Sequence, residues 1–451
     1  MDDMDDVLPE NRDMLQASEF VYRAMNFFYL YKANTPELAN DYFSNDREKT
    51  DFISDFQSPE DLFHHLKYGG DRFSVLVDDY VELERMLQGK NFSTGAIFFS
   101  FTHGEDFYLL VRNVVENSSA DENKVVRGDV FHKINGQKIT ENNVNELLSA
   151  STLELHYAYE TNDGYENSEE KVTLQNQELN EPSIAMFNTL NIGGTKVGYL
   201  MYNSFIGSYN QELNDVFRYF KEEAVDELIV DLRYNSGGSI YSAELLCSMI
   251  TGQFKGEVLY ENEWNADLQS YYGETVLFPD KFNSGETIES LRLPRVVILT
   301  QPRTASASEL VINALKPHIN VLQVGAATRG KYQGSILVYD SPNFINKQHI
   351  NPNHRYAMLP LVLKTKNSVG FTDFDDGLPA DIFYHESVGS IKNNLGTIEE
   401  PLLREALLGL GIAVPPAREP YKIDKIEATP EQVITSPLDG IMYFDQDIDQ
   451  R

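Results

Sequence analysis

The chain has 451 residues, enough for about three domains at roughly 150 residues each. Its 37 Lys+Arg against 70 Asp+Glu give a net charge of −33, which argues against a nucleic-acid partner and against docking on anionic headgroups, since both need a basic face. With 41% hydrophobic and 12% aromatic residues, a disordered chain is excluded. The single cysteine, Cys247, permits no intrachain disulfide and no cysteine-built zinc or iron–sulfur site. No cofactor or metal motif is visible. No apolar run reaches the ~18 residues of a membrane helix. The opening MDDMDDVLPENRD is acidic and polar, the opposite of a signal peptide. It fits a cytosolic chain, or one whose targeting segment lies upstream.

Residues 1–90 read as a helical N-terminal domain. LQASEFVYRAMNFFYLYK (15–32) carries apolar residues at helical spacing. SPEDLFHHL (58–66) opens with a helix-start signature, and VDDYVELERML (77–87) reads as a third helix. His64 and His65 are adjacent, about 100° apart on a helix, and so make no chelating pair. The region holds no serine–lysine or carboxylate constellation. It is expected to be a scaffold or lid without a catalytic residue, in which changes at Asp71 or Arg72 disturb only the DRFS turn.

Residues 91–178 read as a β-rich domain. GAIFFSF, FYLLVRNVV and LELHYAY are strand-like. Between them GDVFHKINGQKIT carries the hairpin signal Asn135-Gly136, and ENNVNELLSAS follows as a short helix. This order resembles a PDZ domain. The resemblance implies peptide binding at Gly95, Ala96, Ile97 and Phe98, where free N–H groups would hold a terminal carboxylate and the strand edge would take the peptide as an extra strand.

Residues 179–415 alternate strands and helices: TKVGYLMYNSF, QELNDVFRYFKEEA, DELIVDLRYNSGG, SIYSAELLCSMITG, RVVILTQ, SASELVINALKP and NVLQVGA, then a strand pair around GKYQGSILVY. Such units build an α/β core with a mostly parallel sheet. Its ligand sites lie beyond the carboxyl ends of the strands, where 235–238 and 304–308 fall. Residues 416–451 hold several prolines and an acidic ending, and are expected to be a surface tail.

A serine after a buried strand, such as Ser306 or Ser308 in QPRTASASEL, has an ordinary reading as a helix cap. The context is more specific. TASASE, the downstream pair Gly330-Lys331 and the upstream DLRYNSGG together resemble family S41, the carboxyl-terminal processing or tail-specific serine proteases. The helical start with DLFHHLKYGGDRFS resembles members from Bacteroidetes-type bacteria. The resemblance implies an α/β multidomain protein: a helical start, a PDZ-like β domain and an S41-type, ClpP/crotonase-like protease core. It implies Ser306 as nucleophile, Lys331 as general base 25 residues on, and an oxyanion hole from Ala307 with Gly237 or Gly238.

The chemistry suits these residue types. A serine hydroxyl needs an adjacent base, and lysine serves as one when burial lowers its pKa. Two departures from the family pattern stand out. The glutamine expected four residues after the lysine is Ser335, leaving lysine orientation to Gln333, to Ser335 or to neither. The acidic residue expected near the end of the helix after the nucleophile is Pro317. No H-E-x-x-H spacing occurs, and a Ser-His-Asp triad would need distant partners.

The expected function is therefore a serine endopeptidase acting on proteins or peptides with free C-termini. It would use a Ser/Lys dyad and an acyl-enzyme, with no cofactor. The alternative is a catalytically weak or inactive peptide-binding scaffold, and further off lies a small-molecule hydrolase or carrier on the same core. The resemblance also implies an extracytoplasmic location, periplasmic or as an outer-membrane-associated lipoprotein.

Overall fold

The structure is a computed structural model that describes residues 9–415 and 438–444. At the start, helix Pro9–Phe28 buries Phe20, Val21, Ala24, Met25 and Phe28, one face at helical spacing. Helix Pro59–Leu66 begins at Ser58, whose Oγ accepts the N–H of Asp61, and buries Leu62, Phe63 and Leu66. The helix expected over 77–87 starts only at Tyr80, capped by Asp79. Just before it, Val75–Val77 is a strand paired with Ala357–Leu359. The apolar face of this region merges with that of the α/β core, so the two share one continuous hydrophobic core.

Strand Lys90–Ser93 pairs antiparallel with Gln177–Asn180. Between these two strands lies a β unit with its own apolar core around Phe98, Val111, Phe131 and Leu155. Its sheet runs, in spatial order, Ala96–His103, Asp106–Val114, Val130–Ile134, Thr152–Thr161, Gly164–Gln175. Asn135 and Gly136 form the expected turn, with φ of 49° and 77°, the left-handed pair a tight hairpin favours.

The α/β core is a six-stranded sheet ordered Ile184–Ile192, Thr195–Tyr202, Glu227–Asp231, Arg295–Thr300, Asn320–Gly325, Ile382–Phe383. All neighbours are parallel except the first pair. Side chains alternate across it, as strand pleating requires. Val197, Tyr199, Ile229, Val297 and Leu299 pack on helix Pro401–Gly409. Leu200, Leu228, Val230 and Ile298 pack with helices Asn210–Glu222, Ile240–Ile250 and Ala307–Leu315 on the other face.

A second six-stranded sheet holds Gly238–Ser239, Met442–Phe444, Gln333–Ile336, Leu361–Asn367, Val258–Trp264 and Thr275–Leu277. This corrects the surface-tail expectation for part of 416–451. Ile441–Phe444 are buried, and Met442–Phe444 lies between the strand from the glycine loop and the strand after Lys331. The apolar IMYF run supplies the reason, since it buries where a polar tail would not. The remainder of that tail lies outside the described residues. No helix among the described residues is long and apolar enough to cross a membrane.

Candidate active site

Two loops leave the carboxyl ends of neighbouring parallel strands, 232–238 after Glu227–Asp231 and 301–306 after Arg295–Thr300. Asn235 ties them together. Its carbonyl accepts the N–H of Ala305 at 3.1 Å and Ser308 Oγ at 3.3 Å. Its side chain donates to Tyr202 O at 2.8 Å and accepts the N–H of Gly237 at 2.9 Å. Behind this loop, fully buried Arg233 is paired with Asp231, Glu386 and Glu400. Glu400 also caps helix Pro401–Gly409.

Ser306 heads helix Ala307–Leu315 with φ 68° and ψ −116°. A non-glycine residue there is strained and persists only where its surroundings enforce it. The enforcement is visible. The N–H of Ser306 donates to Glu309 Oε2 at 2.7 Å and its carbonyl accepts from Leu310. Ser306 Oγ is buried, faces the backbone N–H of Glu309 in a capping box, and its hydroxyl proton has no acceptor among the described residues. A Cβ at Gly237 would fall 2.7 Å from Ser306 Cβ and 3.0 Å from its Oγ, so only glycine fits against the serine. Ser308 does not share this place, because its hydroxyl is spent on Asn235 O.

Lys331 is fully buried, and its Nζ also lacks a hydrogen-bond partner among the described residues. Burial lowers its pKa to about 7, with Asp71 and Glu309 pulling upward and Arg329 downward. A substantial neutral fraction near neutral pH is what a general base needs. Glu309, 0% exposed, joins the two. Its Oε2 accepts the N–H groups of both Ser306 and Lys331, and its Oε1 accepts Gly330 N–H and Thr328 Oγ1. Burial raises the Glu309 pKa, and these hydrogen bonds oppose that rise. The one sequence signal for this link is the spacing Ser306-x-x-Glu309, that of a capping box.

Several expectations need correction. Of the three expected oxyanion donors, only the N–H of Ala307 has no acceptor among the described residues. The N–H of Gly237 is held by Asn235 Oδ1 in a side-chain turn, and that of Gly238 donates to Ile441 O at 2.7 Å. Neither expected lysine-orienting residue bonds Nζ. Gln333 donates to Tyr31 Oη at 2.8 Å, and Ser335 Oγ is buried without a partner. The N-terminal region is more than a remote scaffold. Lys331 Nζ lies 5.4 Å from the centroid of the Phe73 ring, and Arg72 donates to Gly330 O at 2.8 Å.

A cleft of about 1260 Å³ runs between the β unit and the core. It is lined by Ala96, Ile97, Phe98 and Leu148 at one end and by Gly237 and Gly238 at the other. Gly95 adjoins it, with φ 83°. The expected free N–H groups are partly engaged, since Gly95 N–H donates to Ser93 Oγ and Ala96 N–H to Thr94 Oγ1. At the core end Leu438, Asp439 and Ile441 form part of the wall, held by the Arg303–Asp439 ion pair at 2.7 Å. Ser306 and Lys331, with no exposed surface, do not open onto it. Among the described residues no cluster of His, Cys, Asp or Glu could hold a metal ion.

The sequence model of peptidase family S41 matches residues 196–341, and that of the peptidase S41 N-terminal domain matches 16–75. A Staphylococcus aureus (strain N315) protein described as a probable CtpA-like serine protease is 22% identical over 267 residues, covering 57% of this chain and 49% of the relative. The match thus spans about half the length of that relative. The crystal structure of an S41 protein from Bacteroides fragilis NCTC 9343 superposes with a TM-score of 0.69 at 25% identity, covering 87% of this chain and 97% of the other. The photosystem II D1 C-terminal processing protease shares the fold, with a TM-score of 0.51 at 18% identity over 84% of this chain and 94% of the other. The two family models match residues 16–75 and 196–341, and over 87% of its length the chain shares the fold of the Bacteroides fragilis S41 protein.

Proposed function

We propose that the chain is a serine endopeptidase that cleaves protein or peptide substrates through an acyl-enzyme on Ser306, with Lys331 as general base. One observation carries the reading: a strained serine with a free hydroxyl and a buried lysine with a free amine are fastened to the same carboxylate, Glu309. In the first step the Ser306 hydroxyl proton passes to the lone pair of neutral Lys331 Nζ, and Oγ bonds the scissile carbonyl carbon. The N–H of Ala307 faces the developing oxyanion. A second donor from the glycine loop requires Gly237 N–H to leave Asn235 Oδ1, or Gly238 N–H to leave Ile441 O. Collapse expels the amine, which takes the proton back from Nζ. Water then hydrolyses the ester by the same relay.

Substrate enters along the cleft, with the PDZ-like unit gripping a free C-terminus at Gly95–Phe98 beside the unpaired strand edge, and the glycine loop at Gly237 must move for it to reach the buried Ser306. The family resemblance supports action outside the cytoplasm, which fractionation of the producing cell checks. A second reading, a catalytically weak or inactive peptide-binding relative, draws on the engaged glycine N–H groups and the buried serine. Labelling by an alkyl fluorophosphonate separates the two. The peptidase reading expects a covalent adduct on Ser306 and cleavage of an unfolded protein substrate. An unlabelled Ser306 with no cleavage sinks it.

A further inference from the structure

The loop Tyr68–Ser74 crosses from the helical start to the lysine pocket and is pinned on both sides. Arg72 Nη2 donates to Gly330 O at 2.8 Å and to Asp375 O at 3.2 Å. Ser74 Oγ accepts the N–H of Leu361 at 2.9 Å. Between these anchors Asp71 is 5% exposed. Its Oδ1 accepts the N–H groups of Phe73 and Ser74, and its Oδ2 accepts Tyr29 Oη at 2.8 Å. The Tyr29 hydroxyl in turn accepts the N–H of Tyr68 at 3.0 Å. All donors to Asp71 are neutral. Three hydrogen bonds leave part of a carboxylate's acceptor capacity unused.

The charged and titratable groups around Lys331 Nζ divide by task. Glu309, on helix Ala307–Leu315, spends both oxygens on Thr328, Ser306, Gly330 and Lys331, so it serves the backbone. The Arg329 guanidinium lies 5.8 Å from the Phe73 ring centroid and Arg72 4.8 Å from it. Tyr29 is bonded to Asp71, and Tyr31 accepts from Gln333. Asp71 remains: its Oδ1 holds the N–H of Phe73, whose ring centroid lies 5.4 Å from Lys331 Nζ, and it is not committed to the nucleophile's own clip.

We infer that Asp71 is a positioning residue for the Ser306–Lys331 pair, a buried carboxylate from the N-terminal region that stabilises the ammonium formed when Nζ takes the serine proton. It takes the part that the absent glutamine would otherwise play, but by charge and not by a direct hydrogen bond. The proton stays on Nζ until the leaving amine collects it, and Asp71 itself neither gains nor loses one. This is the logic by which a carboxylate supports the base in a Ser-His-Asp triad.

The inference rests on the peptidase reading, and the experiment separates the two. The rate of Ser306 acylation by an alkyl fluorophosphonate is measured from pH 5 to 10 on the full chain, in wild type, Asp71→Asn and Tyr29→Phe. Asp71→Asn keeps the polar turn but removes the charge. Its midpoint should move about one pH unit lower, with a plateau roughly tenfold slower. Tyr29→Phe strips a hydrogen bond from the carboxylate and leaves its charge, so its midpoint should move upward. A purely structural Asp71 would lower the plateau and leave the midpoint fixed, and midpoints unmoved in both variants overturn the inference. Where Asp71→Asn does not fold, the direction of the Tyr29→Phe shift decides. A wild type unlabelled at Ser306 overturns the peptidase reading itself, whereas a labelled wild type with unmoved variants overturns only the role of Asp71.

Discussion

Ser306 and Lys331 hang from one oxygen atom. Glu309 Oε2 accepts the N–H of Ser306 at 2.7 Å and the N–H of Lys331 at 2.8 Å. The segment that carries Lys331 into strand Gln333–Ile336 and the helix start that carries Ser306 are thereby fixed to each other by backbone, independent of what either side chain does. Gly330 belongs to the same clip. It has φ 84°, and a Cβ there would fall 2.1 Å from Asp375 O, so any other residue would push the lysine strand out of place.

The clip makes Glu309→Gln a demanding substitution. An amide supplies one acceptor and one donor group where the site offers four donors. Two of those donors would then face an NH₂ group. With about 1–3 kcal/mol for each buried group left unsatisfied, the variant should lose about 2–6 kcal/mol in urea unfolding. Ser306 labelling should slow at every pH. Wild-type stability together with wild-type labelling would show that the bridge is not what sets the geometry.

Ser306→Ala and Lys331→Ala should each remove peptide cleavage by orders of magnitude, and the double variant should be no worse, because the two act as a unit. Ser308→Ala gives up one 3.3 Å hydrogen bond to Asn235 O and should cost far less. Steady-state cleavage of an unfolded protein substrate checks all four. Additive losses, or full activity in Ser306→Ala, would contradict the assignment.

The motifs and their order were legible in the sequence because each answers to local chemistry: a turn needing glycine, a serine at a helix start, a buried strand before it. The contacts that shape the site were less so. Asp71 lies far along the chain from Lys331, and nothing in the DRFS turn announces a buried lysine. Met442–Phe444 follows a proline-bearing stretch and is short, yet it inserts between Gly238–Ser239 and Gln333–Ile336, and Ile441 O just before it takes the N–H of Gly238. Strand Gly164–Gln175 carries no apolar signal in the sequence because most of its residues are polar. Only Gly164 and Leu174 are buried, as suits an edge strand.

Burial of Lys331 also predicts a pH signature in stability. The unfolded side chain titrates near 10.5 and the folded one near 7. Between those values the unfolded chain holds the extra proton, so stability rises with pH through this window and the penalty is fully present below it. Lys331→Met removes the penalty and keeps most of the volume. It should be more stable than wild type at pH 7 and below by on the order of 4 kcal/mol, with the advantage shrinking toward pH 10. Chemical unfolding of both proteins at several pH values tests this. An advantage independent of pH would mean that the lysine is not held neutral.

The last prediction concerns the outer end of the cleft. Strand Ala96–His103 is the edge of its sheet, and Ala96, Ile97 and Phe98 line the cleft with Asn145 and Leu148 of helix Val144–Leu148. A peptide can add to that edge as a further strand, with its terminal carboxylate near Gly95. Two donors of that loop are already held by hydroxyls, Gly95 N–H by Ser93 Oγ at 2.9 Å and Ala96 N–H by Thr94 Oγ1 at 3.3 Å. A carboxylate is the stronger, charge-assisted acceptor and should displace them, at some cost to affinity. A peptide with a free C-terminus should therefore bind more tightly than its amide, by several-fold and not by orders of magnitude. Ser93→Ala, which releases the Gly95 N–H in advance, should widen that gap. Calorimetric titration of acid and amide forms against both proteins measures it, and equal binding of the two forms to wild type and to Ser93→Ala would remove the carboxylate from the recognition scheme.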